Sequence, residues 1–280
     1  MMYKQKLCLG TFSGVEYSES EQIVLFKNAG FDGFFTGYES DGKIHELARV
    51  ARENGMIYQS IHAPFLLSAD LWKEGEKGEQ YLNDIIKCVT VASEENIPLV
   101  IAHVYIGFYT GEKPTELGIQ RLKKAVNIAK EKKVKIAFEN AEGEEFLTCV
   151  MDAFKGEESV GFCWDSGHEQ CYNGYKDMLA LYGDRLLGTH LNDNLGISRA
   201  DGKIFWTDDL HLLPFDGIID WVDAANRLNK VGYDGILTFE LTVNSKPDRH
   251  ENDKYKDMGF IKYLAEVYAR ACRIAYLKNK

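Results

Sequence analysis

Eight short apolar runs punctuate the chain, at residues 6–10, 32–35, 56–62, 99–104, 134–139, 160–165, 186–191 and 235–241. Between them lie stretches whose apolar residues recur at helical spacing, such as 46–54, 80–95, 116–132 and 221–229, with a last one over 255–277. Parallel strands need a long crossover, usually a helix, so this alternation has few ways to fold. Eight such units predict an α/β protein of the (β/α)8 TIM-barrel class. The length of 280 residues suits one barrel. With only five prolines and no Pro- or Ser-rich linker, a single domain over residues 1–280 is expected. Gly30-Phe31-Asp32-Gly33 and Gly232-Tyr233-Asp234-Gly235 read as turns feeding the second and eighth strands.

Polar residues gather at the ends of these runs. The third ends in His62, the fourth in Ala102-His103, and the fifth in Phe138-Glu139-Asn140. The sixth ends Trp164-Asp165-Ser166-Gly167-His168, the seventh contains His190-Leu191-Asn192-Asp193, and the eighth contains Phe239-Glu240. Side chains alternate faces along a strand. If the terminal acid or imidazole points into the barrel mouth, the residue two before it must fill the interior. Those residues are Ser60, Ile101, Ala137, Cys163, Gly188 and Thr238, none of them charged. A packed interior beneath a polar mouth requires this.

Asp208-Asp209-Leu210-His211, in the connection between the seventh and eighth strands, adds to the set. The mouth then holds Glu139, Asp165, Asp209 and Glu240 with His62, His103, His168, His190 and His211. Converging carboxylates repel unless cations join them. Mixed imidazole and carboxylate donors suit manganese, zinc or cobalt better than calcium. A lone strand-end histidine is commonly a hydrogen-bonded core residue, and His62 and His103 admit that role. Five of the seven histidines share this set, however, and joint placement favours a metal site. Trp206 offers a wall for a substrate ring, or packs under its loop. Arg199 and Lys203 are the nearest cations for an anionic substrate, or are solvated loop charges. Phe65, Leu66 and Leu67 read as a loop packed back on the barrel.

The formal net charge is −10, and acids such as Glu16, Glu39, Asp70 and Glu74 follow the first three strands. This disfavours nucleic acid as a partner. No apolar run is long enough to span a membrane and no secretory leader is evident. The six cysteines are scattered without metal-binding spacing, as reduced thiols of a cytoplasmic protein would be. A homo-oligomer is compatible with all of this.

At these motifs, and at His62-Ala63-Pro64-Phe65 and His211-Leu212-Leu213-Pro214-Phe215-Asp216-Gly217, the chain resembles the xylose isomerase-like TIM-barrel superfamily, in its sugar phosphate isomerase/epimerase branch. The resemblance covers nearly the whole chain. It implies a divalent metal held by Glu139, Asp165, His190 and Glu240, with His168 touching substrate. It also implies that His62, His103, His168, Asp209 and His211 match the further ligands of the related endonuclease IV class, so one to three ions are expected. The Glu-Pro-Lys motif of true xylose isomerases is absent; Glu139-Asn140-Ala141 stands there. The expected function is a metal-dependent isomerase or epimerase of a sugar, sugar phosphate or related polyol. It would work by proton transfer through an enediolate, with Glu139 and Glu240 as acid and base and His168 beside the shifting oxygen. The alternatives are a zinc phosphodiesterase acting on abasic DNA, and a non-catalytic sugar-binding protein.

Overall fold

The computed structural model describes residues 3–279. Its strands are β1 (Leu7–Gly10), β2 (Gly33–Gly37), β3 (Ile57–His62), β4 (Leu99–His103), β5 (Lys135–Glu139), β6 (Val160–Asp165), β7 (Leu186–His190) and β8 (Leu237–Phe239). The helices are α1 (Glu19–Ala29), α2 (Asp41–Asn54), α3 (Glu76–Glu94), α4 (Glu116–Lys132), α5 (Glu144–Ala153), α6 (Ser166–Cys171), α7 (Met178–Tyr182), α8 (Trp221–Lys230) and α9 (Phe260–Lys278). All ladders are parallel, in the order β7-β6-β5-β4-β3-β2-β1-β8. A parallel bridge between Leu191 and Phe239, with Leu191 N–H donating to the Thr238 carbonyl at 2.8 Å, joins the two ends into a TIM barrel.

Local chemistry sets the helix ends. Ser18 and Glu21 form a reciprocal capping box on α1, and Gly30 closes it at φ 112°, a conformation that suits glycine. Ser40, Thr115 and Asp220 cap α2, α4 and α8 with their side-chain oxygens. Asp165 caps α6, and this brings a site residue into the backbone itself.

Strand parity divides the core as expected. Val100, Ala102, Ile136, Phe138, Phe162 and Trp164 face the helices in the main core. Leu99, Ile101, Ala137 and Cys163 form a separate cluster within the barrel, with Leu187 against it. A Cβ added at Gly188 would meet Leu99 Cδ2 at 3.3 Å and Ile101 Cδ1 at 3.7 Å, so that position also faces inward. Thr238 is fully buried.

Four elements differ from the sequence reading. β8 is only three residues long, because pairing with β7 continues past it through single hydrogen bonds such as Glu240 N–H to the Leu191 carbonyl at 3.3 Å. The last helix begins at Phe260 and not at 255, after Gly259 at φ 74° and a short 3-10 turn over Asp253–Tyr255. Two short helices, α6 and α7, stand between β6 and β7.

Candidate metal centre

The acids and imidazoles at the strand ends meet as the parity argument required. Glu139, from β5, is fully buried at the centre. Its Oε1 lies 3.1 Å from His190 Nδ1 and 3.6 Å from His168 Nδ1. Its Oε2 lies 3.2 Å from both His62 Nε2 and His103 Nε2. Glu240 Oε2 approaches the same His190 Nδ1 at 2.9 Å. A second cluster adjoins it: Asp209 Oδ2 is 2.9 Å from His211 Nε2, and its Oδ1 is 3.5 Å from His168 Nε2.

Asp165 is held on every side. Its Oδ1 accepts from the His168 backbone N–H at 2.6 Å, and its Oδ2 from Asn192 Nδ2 at 2.8 Å. Asn140 brackets its backbone, accepting from Asp165 N–H at 2.8 Å and donating to its carbonyl at 2.9 Å. Asn173 accepts from Asn140 Nδ2 at 3.0 Å. A Cβ at Gly167 would lie 1.9 Å from Asn192 Oδ1, so glycine there leaves room for the amide that orients Asp165.

The donors fit a cation. One ligand atom from each of Glu139, Asp165, His190 and Glu240 lies within 4.8 Å of the others. A single imidazole nitrogen facing two carboxylate oxygens has at most one proton to share between them, whereas a divalent ion satisfies all three. His62, His103 and Glu139 form a further group of this kind, as do His168, Asp209 and His211.

The side-chain charges offset one another within the cluster. Burial opposes ionisation of Glu139, but His190 and His103 outweigh it and hold the carboxyl well below the usual range. Burial likewise opposes charge on Glu240, yet His190 and His211 bring it down to about 2. Asp165, with less help, is pushed up to about 6 by burial. His190 is raised well above its ordinary value because Glu139 and Glu240 outweigh burial. Asp165 and Asp209 do the same for His168, and Asp209 raises His211 to about 9.

A cavity of about 660 Å³ opens above these residues. His62, His103, His168, Asp209, His211 and Glu240 line it, while Glu139, Asp165 and His190 lie beneath. Of the two placements open to it, Trp206 takes the cavity wall. Arg199 and Lys203 are not in the lining. Arg199 is engaged by Asp201 at 3.0 and 3.1 Å, and Lys203 lies 4.0 Å from the same acid, so both charges are met on an exposed loop. Lys246 is the cation of the lining, 3.7 Å from Asp209 and 5.7 Å from the centre of the Trp206 ring. Phe65 and Leu66 do not pack back on the barrel; both are exposed at the mouth and line the cavity, and only Leu67 packs against the core.

The sequence reading missed four kinds of participant. Asn140 and Asn192 were legible in principle, one beside Glu139 and the other two residues past His190. Phe35, stacked on His190, had the parity of an inward residue. Glu142, buried and lining the cavity, follows its strand by a turn that periodicity does not reach. Lys246 lies in a loop without any pattern.

A profile of the xylose isomerase-like TIM barrel family matches residues 23–264. The chain belongs to that family. Among curated proteins, this xylose isomerase-like chain is 37% identical over 120 residues to the uncharacterised y4fM of Sinorhizobium fredii, which covers 41% of the chain and only 35% of that relative. It is 25% identical over 227 residues to the uncharacterised MJ1311 of Methanocaldococcus jannaschii, covering 74% of the chain and 70% of the relative. Its fold superposes on D-psicose 3-epimerase from Clostridium cellulolyticum with a TM-score of 0.74, at 16% identity, over 98% of this chain and 99% of that one. An L-ribulose 3-epimerase gives 0.68 at 15% identity over 99% and 95%. The 3-keto-D-glucoside 4-epimerase of E. coli gives 0.66 at 16% identity over 89% and 97%. Among the described residues, no helix is long and apolar enough to cross a membrane.

Proposed function

We propose that this protein is a metal-dependent epimerase or isomerase of a sugar, sugar phosphate or related polyol. The observation that carries the reading is the convergence of Glu139, Asp165, His190 and Glu240 under a cavity large enough for a sugar. The epimerases it resembles in fold, acting by name on psicose, ribulose and a keto-glucoside, support it further. A divalent cation (manganese, zinc or cobalt) held by these four residues supplies Lewis-acid polarisation of the substrate's oxygens.

The chain's own groups do the rest. Glu240 lines the cavity and its carboxylate is kept ionised by His190 and His211, so it is the accessible base for a proton next to a carbonyl. Glu139 lies on the other side of the same His190 nitrogen and returns a proton to the enediolate. Having no exposed surface, it requires the reacting carbon to sit low against the floor. His168, protonated under the influence of Asp165 and Asp209, donates to the oxygen whose position shifts.

Solvent deuterium tests this. During turnover of a ketohexose in D2O, deuterium enters the carbon beside the carbonyl in the wild type. Exchange stops in Glu240→Gln and in Glu139→Gln, which keep an oxygen donor but lose the base. A variant that retains full exchange removes its glutamate from the proposal. The phosphodiesterase alternative draws on the further groups His62-His103-Glu139 and His168-Asp209-His211. Against it stands a lining whose one lysine or arginine is Lys246, where a duplex needs several.

A further inference from the structure

The reaction proposed above leaves one buried acid of the cavity without a task. Glu142 follows β5, is 3% exposed, and lines the cavity with Ile106, Phe108 and Tyr172. The Gly107 backbone N–H donates to its Oε1. Among the described residues no cation pairs with it, and burial alone pushes the carboxyl toward its neutral form.

The lining has two sides of different chemistry. Thr11, Ser13, Tyr38 and Thr242 bring hydroxyls from segments after β1, β2 and β8, and Lys246 lies with them. This side suits the hydroxyls of a sugar. Ile106, Phe108, Glu142 and Tyr172 come from segments after β4, β5 and β6, across the barrel. The Phe108 and Tyr172 rings are 5.8 Å apart. Lys246, on the far side, is already engaged at 3.7 Å from Asp209. Glu142 therefore stands on an acidic and aromatic wall without a positive charge of its own.

A substrate hydroxyl does not call for a glutamate here. A side-chain amide in the same place would accept from it and donate to it, without the cost of a buried ionisable group. An anionic substituent would be repelled. A cationic one answers both features of the wall. It forms charge-assisted hydrogen bonds with the carboxylate, and aromatic faces attract it. A buried acid without a counter-charge, set in a cleft, is itself a mark of a functional site.

We propose that the substrate carries an amine: it is an amino sugar or an aminated ring polyol, with its ammonium at Glu142 beside the Phe108 and Tyr172 rings. The inference rests on the sugar reading and narrows it. Glu142 is then a specificity residue, which holds the far end of a ring whose reacting carbons lie over the floor.

The test uses calorimetry on manganese-loaded protein at pH 7. It compares 2-amino, 3-amino and 6-amino derivatives of D-glucose, and 1-amino-1-deoxy-D-fructose, with their parent sugars and N-acetyl counterparts. The N-acetyl compounds keep the nitrogen and lose the charge. At least one amine binds with a Kd at least ~10-fold below both its parent and its N-acetyl form, since a hydrogen bond to a charged group contributes about that factor or more. Glu142→Gln brings the ratio close to one, with a melting temperature no lower than that of the wild type. If no amine binds tighter than its parent, the proposal is overturned. A preference that survives Glu142→Gln also overturns it, because the amine is then held elsewhere, as by the metal. The outcomes separate this inference from the reaction itself. Exchange on neutral ketohexoses without amine preference sinks only the amine inference, and amine preference without exchange on any sugar sinks only the proton-transfer reading.

Discussion

The ring of Phe35 lies flat on that of His190, with centroids 4.6 Å apart and planes 16° from parallel. Phe35 is the middle of β2, across the barrel from β7, and is itself buried. The stack fixes the plane of the imidazole whose Nδ1 faces Glu139 and Glu240. Groups that orient a ligand from behind commonly govern affinity by 10- to 100-fold. Phe35→Leu is expected to weaken zinc or manganese binding about 10-fold, read by chelator competition, at a stability cost of about 1 kcal/mol. Unchanged affinity in a folded variant would show that the stack does not orient the ligand.

Metal binding should release protons. Glu139 and Glu240 raise the metal-free His190 well above its ordinary value, so a proton occupies the site at neutral pH. A cation needs the neutral imidazole and displaces that proton. Affinity therefore falls as pH falls, by about 10-fold per pH unit for each proton displaced. Titration calorimetry at pH 7 in phosphate and in Tris should give heats that differ with the buffer's ionisation enthalpy. Equal heats and a flat affinity from pH 6 to 8 would remove the proton from the site.

Glu142 supplies a stability prediction with the opposite sign to the usual acid. Burial pushes its carboxyl up to about 8, with one oxygen accepting from the Gly107 backbone N–H. The unfolded chain ionises this group near pH ~4.3. As pH rises from there to about 8, the unfolded state loses a proton that the folded state keeps, so the residue destabilises progressively. Glu142→Gln is expected to raise stability by roughly 1–3 kcal/mol at pH 8, with the gain shrinking toward pH 5. Thermal melts of both proteins across this range check it, and a gain independent of pH would assign the effect to packing.

Much of this site was legible because strands have a period of two. His62, His103, Glu139, Asp165 and His190 end their strands with the small or apolar residue two positions back facing the barrel interior. That regularity needs no tertiary knowledge. The loops carried no such rule. Arg199 and Lys203 admitted two readings, substrate cations or solvated loop charges, and Asp201 between them, which decides for loop charges, follows no spacing rule. Phe65 and Leu66 were read as packed when hydrophobicity alone argued for burial, yet the turn that follows β3 leaves both in solvent. Lys246 reaches the mouth from a loop after β8, which no spacing in the sequence foretells.

Duplex DNA provides a further discrimination. The lining offers Lys246 as its one lysine or arginine, itself 3.7 Å from Asp209. At ~0.15 M salt, non-specific duplex binding should be weak, and an abasic-site oligonucleotide should survive incubation with zinc-loaded protein. Metal-dependent incision that disappears in Glu139→Gln would move the phosphodiesterase reading ahead of the sugar one.

The central claim is that Glu139, Asp165, His190 and Glu240 together hold one divalent cation beneath a sugar-sized cavity. Anomalous diffraction at the metal edge, from crystals grown with manganese and soaked with ketoses, measures this directly. The account predicts an anomalous peak within bonding distance of all four side chains, with sugar density above it on the side of His168 and Glu240. Crystals with full metal in the soak and no peak among these four residues, or a peak confined to His168, Asp209 and His211, would contradict it.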